Sequence, residues 1–198
     1  MTEIAPLDEA SRIRVLHQFS VLDTPPEQAY NDITEVVAYI AKVPIVLVSL
    51  IDEARQWFKA KLGIDVCETP RDMAFCAHAI LTPHQPLIVP DATKDERFAN
   101  NPLVTGEPNI RFYLGVPLVT PEGAALGTLC AIDRVPRELD AEQIKSIKAL
   151  AHMAMSQLEL RRQASCLRQA ATYIDQHLHK HEHGHLHDLM QRSHHKHH

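Results

Sequence analysis

Three short apolar runs constrain the fold of this chain more than any other feature: PIVLVSLID (44–52), IRFYLGVPLVT (110–120) and AALGTLCAID (124–133). The first is β-branched and too short for a core helix, so it reads as a buried strand, and the other two read as strands. Pro121-Glu122-Gly123 joins the last two as a hairpin. RQWFKAKLG (55–63) follows the first run after a turn at Asp52–Ala54. Its alternation sets Trp57, Lys59 and Lys61 against Phe58, Ala60 and Leu62, the pattern of a hairpin partner with one exposed face. LIVPDA (87–92) adds a short strand from which Asp91 can point inward.

Helical patterns frame these strands. Residues 8–20 put Ile13, Leu16 and Phe19 on one face. Thr24 can cap a second helix whose first turn holds Pro25, Pro26 and Glu27, and whose buried face is Ile33, Val36, Val37 and Ile40. Pro44 ends it. Thr69-Pro70 opens a short helical stretch over 71–81, and 93–109 reads as a loop with one helical turn. Asp140, with Gln143 three residues on, begins a long helix over 140–163. Hairpin-joined strands with helices at both ends predict an α+β fold with an antiparallel sheet.

The 198 residues suit one compact domain and an appendage. No apolar run reaches the roughly 20 residues of a membrane span, and the first residues lack a secretory pattern. The four cysteines, at 67, 76, 130 and 166, form no CxxC pair. Reduced thiols and a cytoplasmic location are expected. The net charge is −5, and the body before residue 164 is the acidic part, which disfavours nucleic acid and anionic membranes as partners.

Six segments in order resemble the GAF domain family of small-molecule sensors. They are LDTPPE (22–27), LIDEARQWFKAKLG (50–63), ETPRDMAFCAHAI (68–80), DERFANNPLV (95–104), IRFYLGVPL (110–118) and GTLCAIDRVPREL (127–139). The resemblance implies an antiparallel sheet of five or six strands. Terminal helices would pack on one face, and a ligand pocket would lie under loops on the other. The implied layout is an N-terminal helix (1–21), the GAF-like domain (22–162), a helical extension (163–175) and a histidine-rich disordered tail (176–198).

Several residues are candidates for ligand contact. Trp57, Phe75, Phe98, Phe112 and Tyr113 can line or fill such a pocket. Arg71, Asp91, Arg97, Arg111 and Asp133 sit at element ends beside apolar residues. They can pair internally, Arg71 or Arg111 with Asp91 or Asp133, or leave one arginine for an anionic ligand. The ligand set so defined is Trp57, Phe75, Cys76, His78, Asp91, Arg97, Phe98, Arg111 and Tyr113. In the bilin-binding branches of the family a thioether cysteine is followed at once by histidine. Here Ala77 intervenes, and Cys76 and His78 lie about 200° apart on a helix. Bilin and haem are therefore not expected, and the cofactor is left open. Cys67, Cys76 and Cys130 can meet in space, as a thiol-based methionine sulfoxide reductase on this fold would need.

Met153, Leu160, Leu167 and Ile174 fall on a strict seven-residue repeat, the seam of a parallel homodimer through the last helix. Beyond it, residues 164–198 hold ten of the fourteen histidines. His177, His179, His181, His183, His185 and His187 alternate, so that two or three imidazoles can reach one Ni(II), Zn(II) or Cu(II) ion. The expectation is a non-catalytic, cytoplasmic sensory module that binds an unidentified small molecule or partner, dimerises, signals through its terminal helices and acts on a separate output protein. The alternatives are a metal-binding protein working through the tail and the thiol reductase.

Overall fold

The computed structural model describes residues 7–194, with side chains described through Leu178. In chain order the elements are α1 (Glu9–Gln18), α2 (Gln28–Ala41), β1 (Ile45–Ile51), β2 (Arg55–Leu62), β3 (Glu68–Pro70), a 3-10 turn (Arg71–Met73), α3 (Phe75–Ala79), β4 (Leu87–Val89), a 3-10 turn (Ala92–Lys94), α4 (Pro102–Thr105), β5 (Phe112–Val119), β6 (Ala125–Asp133) and α5 (Ala141–His194). The chain divides into two compact units, one up to Glu159 and the other from Leu160. Helix α5 includes 163–175, and also 176–194 of the segment expected to be a tail.

The strands form one six-stranded antiparallel sheet in the order β3-β2-β1-β6-β5-β4. The α+β architecture is therefore as the strand runs predicted. Strand β1 is buried along its whole length, and its side chains alternate between two cores. Val46, Val48 and Leu50 join α1, α2 and α5 through Leu16, Tyr30, Val37, Ile147 and Leu158. Ile45, Leu47 and Ile51 face the opposite way, toward Phe75, Phe98 and Tyr113.

Local sequence explains most element ends. Asp8 caps α1 by accepting from the Ser11 amide at 2.8 Å. Asp140 and Gln143 form the expected reciprocal box at α5, with bonds of 2.8 and 2.9 Å. Lys42 takes the left-handed conformation at the C-terminus of α2 (φ 55°), two residues before Pro44.

Four local expectations need correction. Helix α2 begins at Gln28 rather than within the Pro25-Pro26 turn, and Thr24 instead donates to the Val21 carbonyl and accepts from Lys59. Residues 68–70 pair as β3 before the chain turns helical, and the strand expected over 87–92 stops at Val89. Strand β2 has no exposed face over Gln56–Ala60. A bulge opposite Val48 and Ser49 skips Lys59, and the side chain turns under α2. There Nζ donates to Thr24 Oγ1 (2.9 Å) and the Pro25 carbonyl (2.8 Å), pairs with Glu27 (2.5 Å) and lies 5.4 Å from the Tyr30 ring centre. Strict alternation cannot anticipate that extra residue.

The ends of β1 and β6 are tied to α1 by charge. The buried Arg12 donates to the carbonyls of Ile51 (2.8 Å) and Ala125 (3.3 Å), and pairs with Glu9 at 2.8 Å. Arg71 joins the same carboxylate at 2.6 Å and reaches the Asp52 carbonyl at 2.9 Å. The alternative pairing of Arg71 with Asp91 or Asp133 is not made. Hydrogen bonds from Arg12, working against partial burial and helped by Arg71, hold Glu9 at a pKa of about 2, below its usual 4.5. That contribution to stability is complete above pH ~4.5 and is lost as pH falls toward 2.

Two measurements check this frame. In acid titration followed by circular dichroism, Glu9→Gln is expected to lower stability at neutral pH and to flatten the loss between pH 4.5 and 2. At Gly127, which pairs with Leu50 of β1, an added Cβ would lie 1.8 Å from the Ser49 carbonyl oxygen. Gly127→Ala is expected to cost at least about 2 kcal/mol in urea unfolding.

Candidate functional site

Among the described residues, the sheet face away from the long helices is covered by α3, α4, the 3-10 turns and loops. These short elements leave a cavity of about 440 Å³. Its walls are mainly apolar: Ile45 and Leu47 from β1, Phe58 from β2, Phe75 from α3, Leu103 from α4 and Tyr113 from β5. Charged and polar lining groups are few, among them Asp65, Glu107 and Arg134. This is the make-up of a small-molecule site.

Gln56 is the exception inside the apolar wall. It is 5% exposed and lines the cavity from β2. Its Nε2 donates to Thr69 Oγ1 at 3.1 Å, while Oε1 is buried with no hydrogen-bond partner. A buried bare carbonyl costs about 1–3 kcal/mol.

A second polar group forms where α3 meets the sheet. Tyr113 Oη donates to Cys76 Sγ at 3.1 Å and Thr128 Oγ1 donates at 3.0 Å. Ser49 Oγ lies 3.3 Å from Thr128 Oγ1, and Cys130 Sγ lies 3.9 Å from Cys76 Sγ. Burial raises the Cys76 pKa, but hydrogen bonds from Cys130, Ser49, Thr128 and Tyr113 outweigh it and bring the thiol down to about 7. Burial, followed by the Cys76 interaction, pushes Cys130 well above its ordinary value. Cys76 lines the cavity; Cys130 stands behind it and does not.

The structure brings together three of the sequence-derived ligand candidates, Phe75, Cys76 and Tyr113. Phe98 is fully buried behind them, stacked on Phe75 with ring centres 4.0 Å apart. Trp57 turns to the helix side and lines a second cavity of about 660 Å³ beside α2 and β2, while Phe112 belongs to the helix-side core. His78 is exposed and meets Phe98 edge-on at 4.9 Å. Burial, then the Arg97 charge, lowers its pKa. Asp91 bonds to Thr93, and Arg97 pairs with Asp95 at 2.7 Å. Arg111 donates to the carbonyls of Val104 and Ile110, and Asp133 pairs with Arg137. The proposed Arg111 pairing with Asp91 or Asp133 is therefore replaced by backbone contacts. Of the three cysteines that could meet, Cys76 and Cys130 do so, and Cys67 is exposed beside the second cavity. Sequence reasoning missed Gln56, Ser49 and Thr128. A lone hydroxyl in an apolar run was the available signal for Ser49 and Thr128; Gln56, beside Arg55 in a charged segment, carried none.

His177 Nδ1 lies 2.8 Å from the Tyr173 carbonyl oxygen. The side chains of His179, His181, His183, His185 and His187 lie outside the described residues. Among the described residues no group of three or more His, Cys, Asp or Glu is placed to hold a metal ion. No helix searched among them is long and apolar enough to cross a membrane.

Residues 25–158 match the family model of the GAF domain. A cyclic di-GMP phosphodiesterase of Pseudomonas aeruginosa is 40% identical over 172 residues, which is 86% of this chain and 28% of that relative. The chain thus spans just over a quarter of the relative's length. Among solved structures, the GAF domain of an Acinetobacter phosphoenolpyruvate-protein phosphotransferase is 19% identical with a TM-score of 0.57, covering 83% of this chain and 97% of that one. A cyanobacteriochrome GAF domain is 18% identical with a TM-score of 0.53, covering 69% and 92%. These two likenesses show the fold alone. The expectation of a non-catalytic chain is corrected by the phosphodiesterase match, since a relative this similar over most of the chain carries an enzyme's name. The expectation rested on the resemblance to small-molecule sensors, a resemblance that an enzyme's sensory part also carries.

Proposed function

Because the chain belongs to the GAF domain family, we propose that it is a sensory unit of cyclic di-GMP signalling, in which a small molecule held in the sheet-face cavity sets phosphodiesterase activity. The relative's name supplies the signalling system. The bare Oε1 of Gln56 carries the small-molecule reading. An unpaired buried acceptor in an apolar cavity calls for a ligand with an apolar body and one N–H or O–H donor. Phe75, Cys76 and Tyr113 are proposed to contact that body, and the protein is proposed to act in the cytoplasm.

The test is Gln56→Leu. It removes the acceptor and keeps the volume close. Production of the parent chain is expected to change cellular cyclic di-GMP; the variant is expected to be at least as stable in urea and to abolish that change. A variant that alters cyclic di-GMP as the parent does would overturn the reading.

The same proposal includes a parallel homodimer through α5 as the route outward. Met153, Leu160, Leu167 and Ile174 recur every seventh residue and are each at least 58% exposed, which supports a seam awaiting a partner. Light scattering is expected to give twice the chain mass, and the double variant Leu160→Glu/Leu167→Glu to give the single-chain mass. A monomeric parent at micromolar concentration would contradict the seam.

A further inference from the structure

The sulfur cluster goes beyond reversible ligand binding. Cys76 and Cys130 come from α3 and the central strand β6, and their sulfurs stand 3.9 Å apart. Cys76 faces the cavity and Cys130 is sealed behind it. Two hydroxyls, from Tyr113 and Thr128, aim their protons at Cys76 Sγ. Donors so placed stabilise the thiolate, the form of sulfur that attacks an oxidant. We propose that Cys76 and Cys130 are a hydroperoxide-reactive thiol pair that closes to a disulfide joining α3 to the sheet.

The cavity determines the class of oxidant. Its walls are mainly apolar and its volume is about 440 Å³, which favours a small uncharged hydroperoxide over a charged peptide disulfide. Cys76 attacks the outer peroxide oxygen, the O–O bond breaks, and the thiol becomes a sulfenic acid while the hydroperoxide leaves as an alcohol, or as water from hydrogen peroxide. The Cys130 sulfur then attacks the sulfenic sulfur. The S–S bond forms, the S–O bond breaks, and the hydroxyl departs as water with the Cys130 proton. In total, two thiols are oxidised by two electrons and one hydroperoxide is reduced. The sulfurs must close from 3.9 Å to about 2.05 Å. The depressed Cys76 and raised Cys130 pKa values match the roles of attacking and resolving thiol. Cys67 and Cys166 are exposed and stand outside the pair.

The pair differs in its test from the Gln56 site, because it depends on sulfur chemistry and not on a retained ligand. The full chain is treated with stoichiometric hydrogen peroxide or tert-butyl hydroperoxide at neutral pH, then alkylated after unfolding and mapped by mass spectrometry. The expected product is one linked peptide pair containing Cys76 and Cys130, restored to thiols by a dithiol. In Cys67→Ser/Cys166→Ser the same product forms. In Cys130→Ser, Cys76 is trapped as a sulfenic acid by dimedone, and in Cys76→Ser the oxidation of Cys130 is at least tenfold slower. Tyr113→Phe slows closure without changing its product. The proposal is overturned if, in the parent chain, Cys67 and Cys166 oxidise while Cys76 and Cys130 both stay alkylatable thiols. That mapping needs no variant, so a misfolded variant leaves the test intact.

Discussion

The antiparallel pairing of β1 with β6, buried on both faces, is the constraint on which the rest of this structure depends. Six register pairs, from Ile45↔Ile132 to Leu50↔Gly127, hold two strands buried along their whole lengths. Every backbone polar group there must be met within the sheet. The alternation of side chains then builds two cores at once. At Gly127 the Ser49 carbonyl oxygen occupies the space a Cβ would take, and glycine has none to clash with it.

The two cores differ because their covers differ. Long helices on one face present continuous apolar stripes, and Tyr30, Val37, Ile147 and Leu158 fill the space against the sheet. The other face is covered by helices of four and five residues and by loops. Such short pieces bring few side chains, and a cavity remains. Polar groups collect at that cavity: Gln56 with an unused carbonyl, and Cys76 among the hydroxyls of Tyr113 and Thr128. Departures from an all-apolar interior are costly, and they gather where function is exercised.

Much of this could be read in the sequence. β1, β5 and β6 were legible as short apolar runs, and the start of α5 from the Asp140–Gln143 spacing. These signals are local, so a single segment contains them. The bulge at Lys59 was not legible, because it depends on what β1 presents opposite β2. Nor were the partners of the arginines. Arg71 could reach a carboxylate from many places, and its actual partner, Glu9, lies at the far end of the sequence in α1. Phe75, Cys76 and Tyr113 were recognisable as pocket residues. Trp57 was not separable from them, since the face of β2 it takes is set by a register that no single strand reveals.

The cavity is proposed to retain a molecule that satisfies Gln56. Native mass spectrometry of the full chain, purified without metal affinity from cells grown under varied conditions, tests this most directly. The expected spectrum shows a non-covalent mass increment that is present in the parent, absent in Gln56→Leu and released on unfolding. The bare polypeptide mass under every growth condition would contradict it.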